Sequence, residues 1–323
     1  MAQSAEEIID RRRLRRKLTF WRIVSLLVAA LGAGALTWFT GEFDGRKEPH
    51  IAQVKIEGPI QEDSELLERL KEIAESDAVK GVIVTVDSPG GTTAGGESIF
   101  DALRKIAEKK PVVAQVGTLA ASAGYMIASA ADHIVARKTS IVGSIGVLFQ
   151  YPDVTQLLNK LGIKMEAIKS TPLKAEPNPF TPASEEAKAM IRNVIMDSYQ
   201  WFIDLVQSRR PLDHAQVVAL ADGAVYTGRQ ALQKKLVDQL GGEDEAVEWL
   251  KTKGVNEKLK VIEWKKKESE GFFSAHSAAR LLARVLGIPE ESGSLLQELG
   301  GKRLLQPGLL SSWQVEAAPA DGQ

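Results

Sequence analysis

The sequence of 323 residues contains no cysteine, which excludes disulfide bonds, thiolate nucleophiles and cysteine-bound zinc. Its only four histidines do not follow the spacing of metal ligands, so a metal-dependent mechanism has little support: His50, His133, His214 and His276. The net charge of −1 argues against binding to nucleic acid through bulk positive charge. The composition, 44% hydrophobic and 26% charged, is that of a globular protein with one large domain or two ordinary ones.

One long uncharged run lies near the amino terminus. Ile23–Phe39 has 17 residues without a charged side chain, which is the short end of what spans a bilayer. Six basic residues within Arg11–Lys17 precede this run. Trp21 and Trp38 lie near its two ends, where amphipathic aromatic side chains favour the headgroup zone. The pattern is typical of a membrane anchor with its amino side in the cytoplasm.

We therefore expect residues 20–40 to form a single-pass transmembrane signal anchor, preceded by a basic cytoplasmic segment, residues 1–19. The remainder is then exported, as in a protein of the bacterial cytoplasmic (inner) membrane with an extracytoplasmic or periplasmic domain. A cleaved signal peptide is the main alternative, because Ala33-Gly34-Ala35 has the small residues of a cleavage site. A buried core helix fits less well, since six basic residues adjoin the run.

Three further regions follow. Residues 41–50 are polar, contain two glycines and a proline, and are expected to be a linker. Residues 51–264 alternate between strand-like and helix-like patterns. Residues 265–323 begin with a charged break and end in a stretch rich in Gly, Ser, Pro and Ala, so we expect a partly helical or mobile extension. Residues 278–286 are predicted to form its amphipathic helix.

The central region predicts a layered α/β domain with right-handed crossovers. Its short β-branched runs predict strands at Ile51–Glu57, Gly81–Val86, Val112–Val116, His133–Ala136 and Ser144–Leu148. Apolar residues at helical spacing predict helices over 62–76, 94–109, 121–131 and 184–209. In the last of these, Ser184 is expected to cap the helix.

A glycine turn, Asp87-Ser88-Pro89-Gly90-Gly91, follows one of these strands. Ligands of α/β sheets bind at the carboxyl ends of parallel strands. Glycine lets backbone N–H groups approach a substrate and hold a developing oxyanion. An ordinary strand-to-helix turn is the alternative.

Ser122 lies among small residues, in Ala-Ala-Ser-Ala-Gly-Tyr, at the predicted start of a helix. Small neighbours let another chain come close, and the helix start supplies free N–H donors, so this serine is a candidate nucleophile. A serine that only caps the helix is the competing interpretation.

The base for such a serine is not an obvious histidine. His133 lies in a probable strand and His214 starts a helix in a polar stretch, so no Ser-His-Asp set is evident. A lysine must be neutral to serve, and since its ordinary pKa is about 10.4, burial must lower that value by roughly 3 units. The segment 169–180, stiffened by three prolines, offers Lys169 and Lys174. Solvated loop lysines are the alternative.

Together these segments resemble the signal peptide peptidase A family, membrane-anchored serine-lysine peptidases with a fold related to crotonases and Clp proteases. The resemblance covers about residues 51–250. It rests on VDSPGG (86–91), AASAGY (120–125), GSIGV (143–147), KSTPLK (169–174), ADGAVYTG (221–228) and LVD (236–238).

The resemblance implies peptide-bond hydrolysis through an acyl-enzyme without metal or cofactor. It implies that Ser122 is the nucleophile, Lys174 the general base and Ser144 the residue that orients the lysine amine. The backbone N–H groups of Gly91 and Ala123 would form the oxyanion hole. The implied substrates are remnant signal peptides in the membrane.

Two departures from the family pattern bear on these roles. Ala123 replaces a glycine, so the oxyanion hole requires a negative φ there. Thr171 and Pro172 replace the usual glycine-containing loop, and Lys169 remains a rival base, although motif register favours Lys174. Short members of the family form ring-shaped homo-oligomers whose dyads draw on neighbouring subunits, which implies the same partner here. The alternatives are a catalytically silent envelope scaffold and, less favoured, a crotonase-type acyl-CoA enzyme.

Overall fold

The computed structural model describes residues 46–265, the backbone of 310–312, and Lys17, Phe20, Trp21 and Val24. It divides the chain into two compact units, residues 1–48 and 49–323. Nearly all of the predicted anchor at 20–40, and the predicted helix at 278–286, lie outside the described residues. Within the described part, no helix combines the length and the apolar character needed to cross a membrane.

A mixed sheet of eight strands forms the centre of the domain. The strands among the described residues are β1 (His50–Glu57), β2 (Val79–Ser88), β3 (Gly90–Thr92), β4 (Val112–Ala121), β5 (His133–Ala136), β6 (Ile141–Gly143), β7 (Val225–Thr227), β8 (Gln239–Leu240), β9 (Val261–Glu263) and β10 (Leu310–Ser312). The order is β7-β6-β4-β2-β1-β9, and β5 joins β4 to β8. Only β6 and β7 pair antiparallel within it, whereas β3 and β10 form a separate antiparallel pair.

Helices connect the strands, as the sequence predicts for an α/β domain. They are α1 (Ser64–Glu75), α2 (Thr93–Ala107), α3 (Ala123–Ser129), α4 (Thr155–Lys160), α5 (Glu185–Arg209), α6 (His214–Leu220), α7 (Gly228–Gln233) and α8 (Glu243–Thr252). The predicted cap of the long helix α5 is confirmed, because the Ser184 hydroxyl accepts a hydrogen bond from the backbone N–H of Ala187 at 3.1 Å.

Strand β2 is buried on both faces, as its nearly continuous apolar sequence predicts. Val82 and Val84 pack into the core shared with α1, α2, α3 and α5, whereas Ile83 faces a second cluster that includes Leu250 of α8. All three β2 side chains are 0% exposed. Each such burial contributes about 1.5–3 kcal/mol to folding, so the helices on both faces hold the strand ends in fixed positions.

One predicted strand is wrong. Ser144–Leu148 forms no strand, because β6 ends at Gly143 and Ser144 has a φ of +51°. The Ser144 N–H instead donates to the carbonyl of Ala224 at 2.7 Å, which turns the chain out of the sheet. Residues 165–168 form neither a helix nor a strand, and the side chain of Ile168 is fully exposed.

Candidate active site

Ser122 lies at the junction where strand β4 ends and helix α3 begins. Its φ is +59° and its ψ is −121°, a region that costs a residue with a Cβ about 1–3 kcal/mol. Two backbone hydrogen bonds hold it there: its N–H donates to Gly143 at 2.8 Å and its carbonyl accepts from Met126 at 2.9 Å. A strained serine on a strand-to-helix turn is the geometry that presents a nucleophile in α/β hydrolases.

The hydroxyl of Ser122 does not cap α3, which is the competing interpretation of this serine. Ala123 begins the helix and is not among the residues with positive φ, so the condition set for its N–H as an oxyanion donor is met. Ser122 itself is only 1% exposed. The serine is therefore presented by the fold without a capping role.

The glycine turn lies directly against helix α3, which begins after Ser122. A Cβ on Gly124 would come 2.8 Å from the carbonyl oxygen of Ser88, so only glycine lets α3 approach the turn this closely. A Cβ on Gly91 would lie 1.9 Å from the carbonyl oxygen of Ile60. The Ser88 hydroxyl accepts a hydrogen bond from the N–H of Gly90 at 3.1 Å and shapes the turn from within. The two glycines therefore allow two close contacts, Gly124 against the turn and Gly91 against Ile60.

Ser122 and Ser144 line the same cleft, which has a volume of about 480 Å³. Its other wall is mostly apolar and includes Ile145, Val147, Leu148, Ile195, Met196 and Tyr199. Asp222 and Gly223 of the ADGAVYTG motif also line the cleft. This motif therefore serves to place Ser144, through the bond to Ala224, and to close the cleft beside it.

Sequence reasoning missed Tyr199 and Met196, which reach the cleft from helix α5. The Tyr199 hydroxyl donates to the carbonyl of Ala221 at 2.5 Å, and burial raises the pKa of Tyr199, so the hydroxyl stays protonated. Ile195 lines the same cleft, four residues before Tyr199. That spacing, which puts two residues on one helix face, was the available signal.

The LVD motif (236–238) holds helix α3, which begins directly after Ser122, in place. The buried Tyr125 hydroxyl donates to the carbonyl of Leu236 at 2.9 Å, and burial raises the pKa of Tyr125. Arg210 donates to the two carboxylate oxygens of Asp238 at 2.9 and 2.7 Å. Asp238 also accepts from the N–H of Ile134 at 2.8 Å. The motif therefore ties helix α3 to strand β5 and to Arg210 at the end of helix α5.

The lysine segment is organised separately. Lys169 donates to the carboxylate of Glu176, which also accepts from the side-chain amide of Asn178 at 2.9 Å. The hydrogen bond from Lys169 holds the pKa of Glu176 below its usual range. Lys174 is exposed, and neither lysine lines the cleft of Ser122. Within one chain the fold brings Ser122 and Ser144 together but leaves Lys174 apart.

The two histidines considered as bases lie elsewhere. His133 stacks on Trp249, with ring centroids 5.0 Å apart, and contacts the side chain of Gln239 at 3.1 Å. His214 contacts Gln207 at 3.0 Å. Neither side chain lines the cleft, so the described residues offer no histidine next to Ser122.

Two protein-family models match parts of the chain. Residues 104–257 match the model of peptidase family S49, and residues 51–142 match the model of the Clp protease family. The first match spans Ser122, Ser144 and Lys174, and the second spans Gly91 and Ser122.

Three curated relatives cover different shares of the chain. A protein of Methanocaldococcus jannaschii, described as a protease, is 36% identical over 63% of this chain and 66% of its own length. A protein of Enterococcus faecium, described as a signal peptide peptidase, is 33% identical over 76% of this chain and 74% of its own length. A chloroplastic serine protease of Arabidopsis thaliana is 30% identical over 72% of this chain, but over only 36% of its own length.

Proposed function

The chain belongs to peptidase family S49 and is a serine peptidase, and on this premise we propose that it cleaves peptide bonds with Ser122 as nucleophile and Lys174 as general base. The observation that carries the proposal is the geometry of Ser122: its backbone is strained, its side chain does not cap α3, and it lines a mostly apolar cleft. A residue is held in such a conformation only where the surrounding structure over-determines it.

The proposed reaction runs through an acyl-enzyme. The neutral amine of Lys174 accepts the hydroxyl proton as Ser122 attacks the substrate carbonyl, and then donates that proton to the leaving amine. The N–H groups of Gly91 and Ala123 stabilise the oxyanion. Removal of a single oxyanion donor typically lowers the rate by about 10²–10³-fold. Water then hydrolyses the ester. Ser144, which lines the same cleft, hydrogen-bonds the lysine amine and orients it.

We propose that a second copy of this chain supplies the lysine, in a ring-shaped homo-oligomer. Residues 148–196 carry an exposed apolar surface, formed by Leu148, Leu157, Leu161, Ile163, Met165, Ile168, Leu173, Phe180, Val194 and Met196. Exposed large apolar side chains clustered along one part of the chain indicate an interaction site. Contact between copies would bury it around Lys174, which is the apolar environment that lowers a lysine pKa.

Apolar peptides are the proposed substrates, because the cleft wall beside Ser122 is mostly apolar. Remnant signal peptides in the membrane have this character. The basic segment before Lys17 and the uncharged run after it support an enzyme anchored in the bacterial cytoplasmic membrane, with the peptidase domain outside the cytoplasm. An anchored enzyme meets such peptides by confinement to the bilayer.

The test compares three variants of the full chain in detergent, using an apolar fluorogenic peptide. We expect Ser122→Ala and Lys174→Ala each to abolish turnover without changing the oligomeric state. Lys164→Ala removes an exposed lysine ten residues before Lys174, and this control variant should retain wild-type activity. Full activity in either of the first two variants would refute the assignment.

A catalytically silent scaffold is the second candidate, since Lys174 lies outside the Ser122 cleft of its own chain. A serine-directed covalent inhibitor separates the two candidates. Labelling of Ser122 in the wild type, and its loss in Lys174→Ala, supports the peptidase. An unlabelled, inactive wild type that still assembles would support the scaffold.

A further inference from the structure

Ser144 holds a backbone conformation that a residue with a Cβ adopts only at a cost in free energy. Its φ is +51°, in the left-handed region. The residue before it, Gly143, has a φ of +111°, and a Cβ there would come 2.9 Å from the carbonyl oxygen of Ala224. Glycine at 143 therefore lets residue 224 approach the turn closely. A strained conformation of this kind persists only where neighbouring groups hold it.

The carbonyl of Ala224 is the neighbouring group that holds Ser144. It accepts a hydrogen bond from the Ser144 N–H at 2.7 Å. The carbonyl of Gly143, one residue earlier, accepts from the Ser122 N–H at 2.8 Å. Residues 143–144 therefore connect the two serines that line the cleft, and Ala224 fixes the position of this connection.

The loop that carries Ala224 lies at the surface of the domain. Asp222 and Gly223 are exposed, and a Cβ on Gly223 would meet nothing within 4 Å. Surface loops with few contacts are mobile unless side chains tie them to the rest of the fold. The position of the Ala224 carbonyl therefore depends on the groups that tie this loop down.

Two side chains tie the loop down. Within it, the Asp222 carboxylate accepts from the Ala224 N–H at 2.9 Å and closes the turn. From helix α5, the Tyr199 hydroxyl donates to the Ala221 carbonyl at 2.5 Å. Ala221 is only 3% exposed, so its carbonyl would be poorly solvated without this donor. A chain of hydrogen bonds therefore leads from a rigid helix to the backbone of Ser144.

We propose that Tyr199 and Asp222 are positioning residues: they hold the loop 221–224 so that Ala224 keeps Ser144 in the conformation that orients the lysine amine. This inference rests on the proposed function, which gives Ser144 that role. Asp222 acts here as an oxygen acceptor within the turn, and Tyr199 acts as a donor from outside it. Neither residue has to touch the reacting atoms.

The ring and the hydroxyl of Tyr199 have separate roles in this proposal. The ring forms part of the cleft wall, where it can contact a substrate. The hydroxyl is engaged with the Ala221 carbonyl. Tyr199→Phe removes only the hydroxyl and keeps the apolar wall, so substrate binding and the positioning of Ser144 can be measured separately.

Steady-state turnover of the external apolar peptide by the full chain in detergent tests the proposal. We expect Tyr199→Phe to lower kcat by about 2–10-fold at unchanged KM, the range that corresponds to one neutral hydrogen bond. Asp222→Ala should lower kcat similarly, whereas Asp222→Asn keeps an oxygen acceptor and should retain most of the activity. Ser208→Ala, the control, removes another α5 hydroxyl that donates to a backbone carbonyl, that of Leu205, and should keep wild-type kinetics.

Combination with Ser144→Ala separates positioning from a general loss of structure. Once the Ser144 hydroxyl is absent, the loop has no hydroxyl to orient, so addition of Tyr199→Phe should lower kcat by less than about twofold further. A full additional loss in this background, or an unchanged kcat in Tyr199→Phe alone, would overturn the inference. A variant Asp222→Asn as impaired as Asp222→Ala would overturn the role of Asp222 as an acceptor.

Crystal structures of the wild type and of Tyr199→Phe separate this inference from the proposed function. We expect the wild type to keep the bond between the Ser144 N–H and the Ala224 carbonyl, and the variant to show the loop 221–224 displaced and this bond lengthened. An unchanged loop in Tyr199→Phe would overturn the inference, whether or not the peptide is cut. A wild type with this loop geometry that fails to cut the peptide would instead refute the proposed function, and with it any catalytic benefit of the loop.

Discussion

The nucleophile region and the lysine segment are built in opposite ways. Around Ser122, the glycine turn, helix α3 and the LVD motif form a buried arrangement in which each backbone group has a defined position. Residues 161–183 contain no helix or strand and expose large apolar side chains such as Ile168. The surroundings of Ser122 in the proposed dyad are complete within one chain. The surroundings of Lys174 instead expose apolar side chains, as a surface does before a partner covers it.

This difference indicates where the proposed enzyme is controlled. A preorganised nucleophile with its oxyanion donors supplies most of the electrostatic stabilisation of an acyl transfer. It remains idle without a neutral base. If the base reaches it only when copies meet, an isolated chain is inactive and stray proteolysis is avoided.

The largest fall in activity is expected from Gly91→Ala, which disturbs the preorganised region around Ser122. Its Cβ would overlap the carbonyl oxygen of Ile60, so β3 must shift and the oxyanion donor moves with it. We expect kcat/KM for the apolar peptide to fall by about 10²–10³-fold. Gly242→Ala is the control, because its φ is −130° and a Cβ there would meet nothing nearer than a side-chain oxygen of Glu245 at 4.0 Å. Near-normal turnover by Gly91→Ala would show that β3 does not hold the oxyanion.

Asp238→Asn tests whether the same half depends on its support. The change leaves the buried guanidinium of Arg210 without its carboxylate, and breaking such a pair typically costs about 3 kcal/mol of folding free energy. Denaturant unfolding of the variant measures this loss. An unfolding free energy within about 0.5 kcal/mol of the wild type, as at an ordinary surface site, would contradict the role assigned to the motif.

Ile168→Glu tests the exposed half. Because this side chain is fully exposed in the single chain, we expect unfolding of the monomer to change by no more than about 0.5 kcal/mol. Oligomer size by light scattering, and peptide turnover, should both fall. Val218→Glu makes the same change at an exposed valine outside residues 148–196 and should preserve both. An intact, active oligomer of Ile168→Glu would remove this surface from the interface.

The smallest effect is expected from pH. The pKa of Glu176 is lowered by Lys169, so the stability from this pair is present above the ordinary carboxyl pKa of about 4.3 and is lost as pH falls through the lowered value. Above about pH 5 the carboxyl group of Glu176 therefore stays ionised. The kcat profile of Glu176→Gln should keep the wild-type midpoint, and a displaced midpoint would show that Glu176 titrates in the reaction.

Local patterns predicted the nucleophile region well. The strand before the glycine turn and the helix after Ser122 follow from β-branched runs and small residues, since their neighbours in sequence are also their neighbours in space. The predicted strand at Ser144–Leu148 failed because a backbone turn at Ser144, set by the distant Ala224, removes it from the sheet.

The rest of the cleft depended on contacts that a sequence pattern does not reveal. Tyr199 lies on a helix whose apolar positions suggested only core packing, yet the amino-terminal half of that helix is largely exposed. The pairing of Lys169 with Glu176 depends on an irregular loop. Residues of an interface between copies are apolar and exposed in a single chain. In the sequence alone they look like the apolar residues of a buried core, so the fold is needed to tell the two apart.

A mixture of two inactive variants tests the central claim most directly. Subunits of Ser122→Ala retain Lys174, and subunits of Lys174→Ala retain Ser122, so a mixed oligomer contains interfaces with both groups intact. Peptide turnover is measured after the two variants are dissociated and reassembled together. The account predicts that activity returns in the mixture and in neither variant alone, whereas a mixture that assembles and remains inactive would contradict a dyad shared between copies.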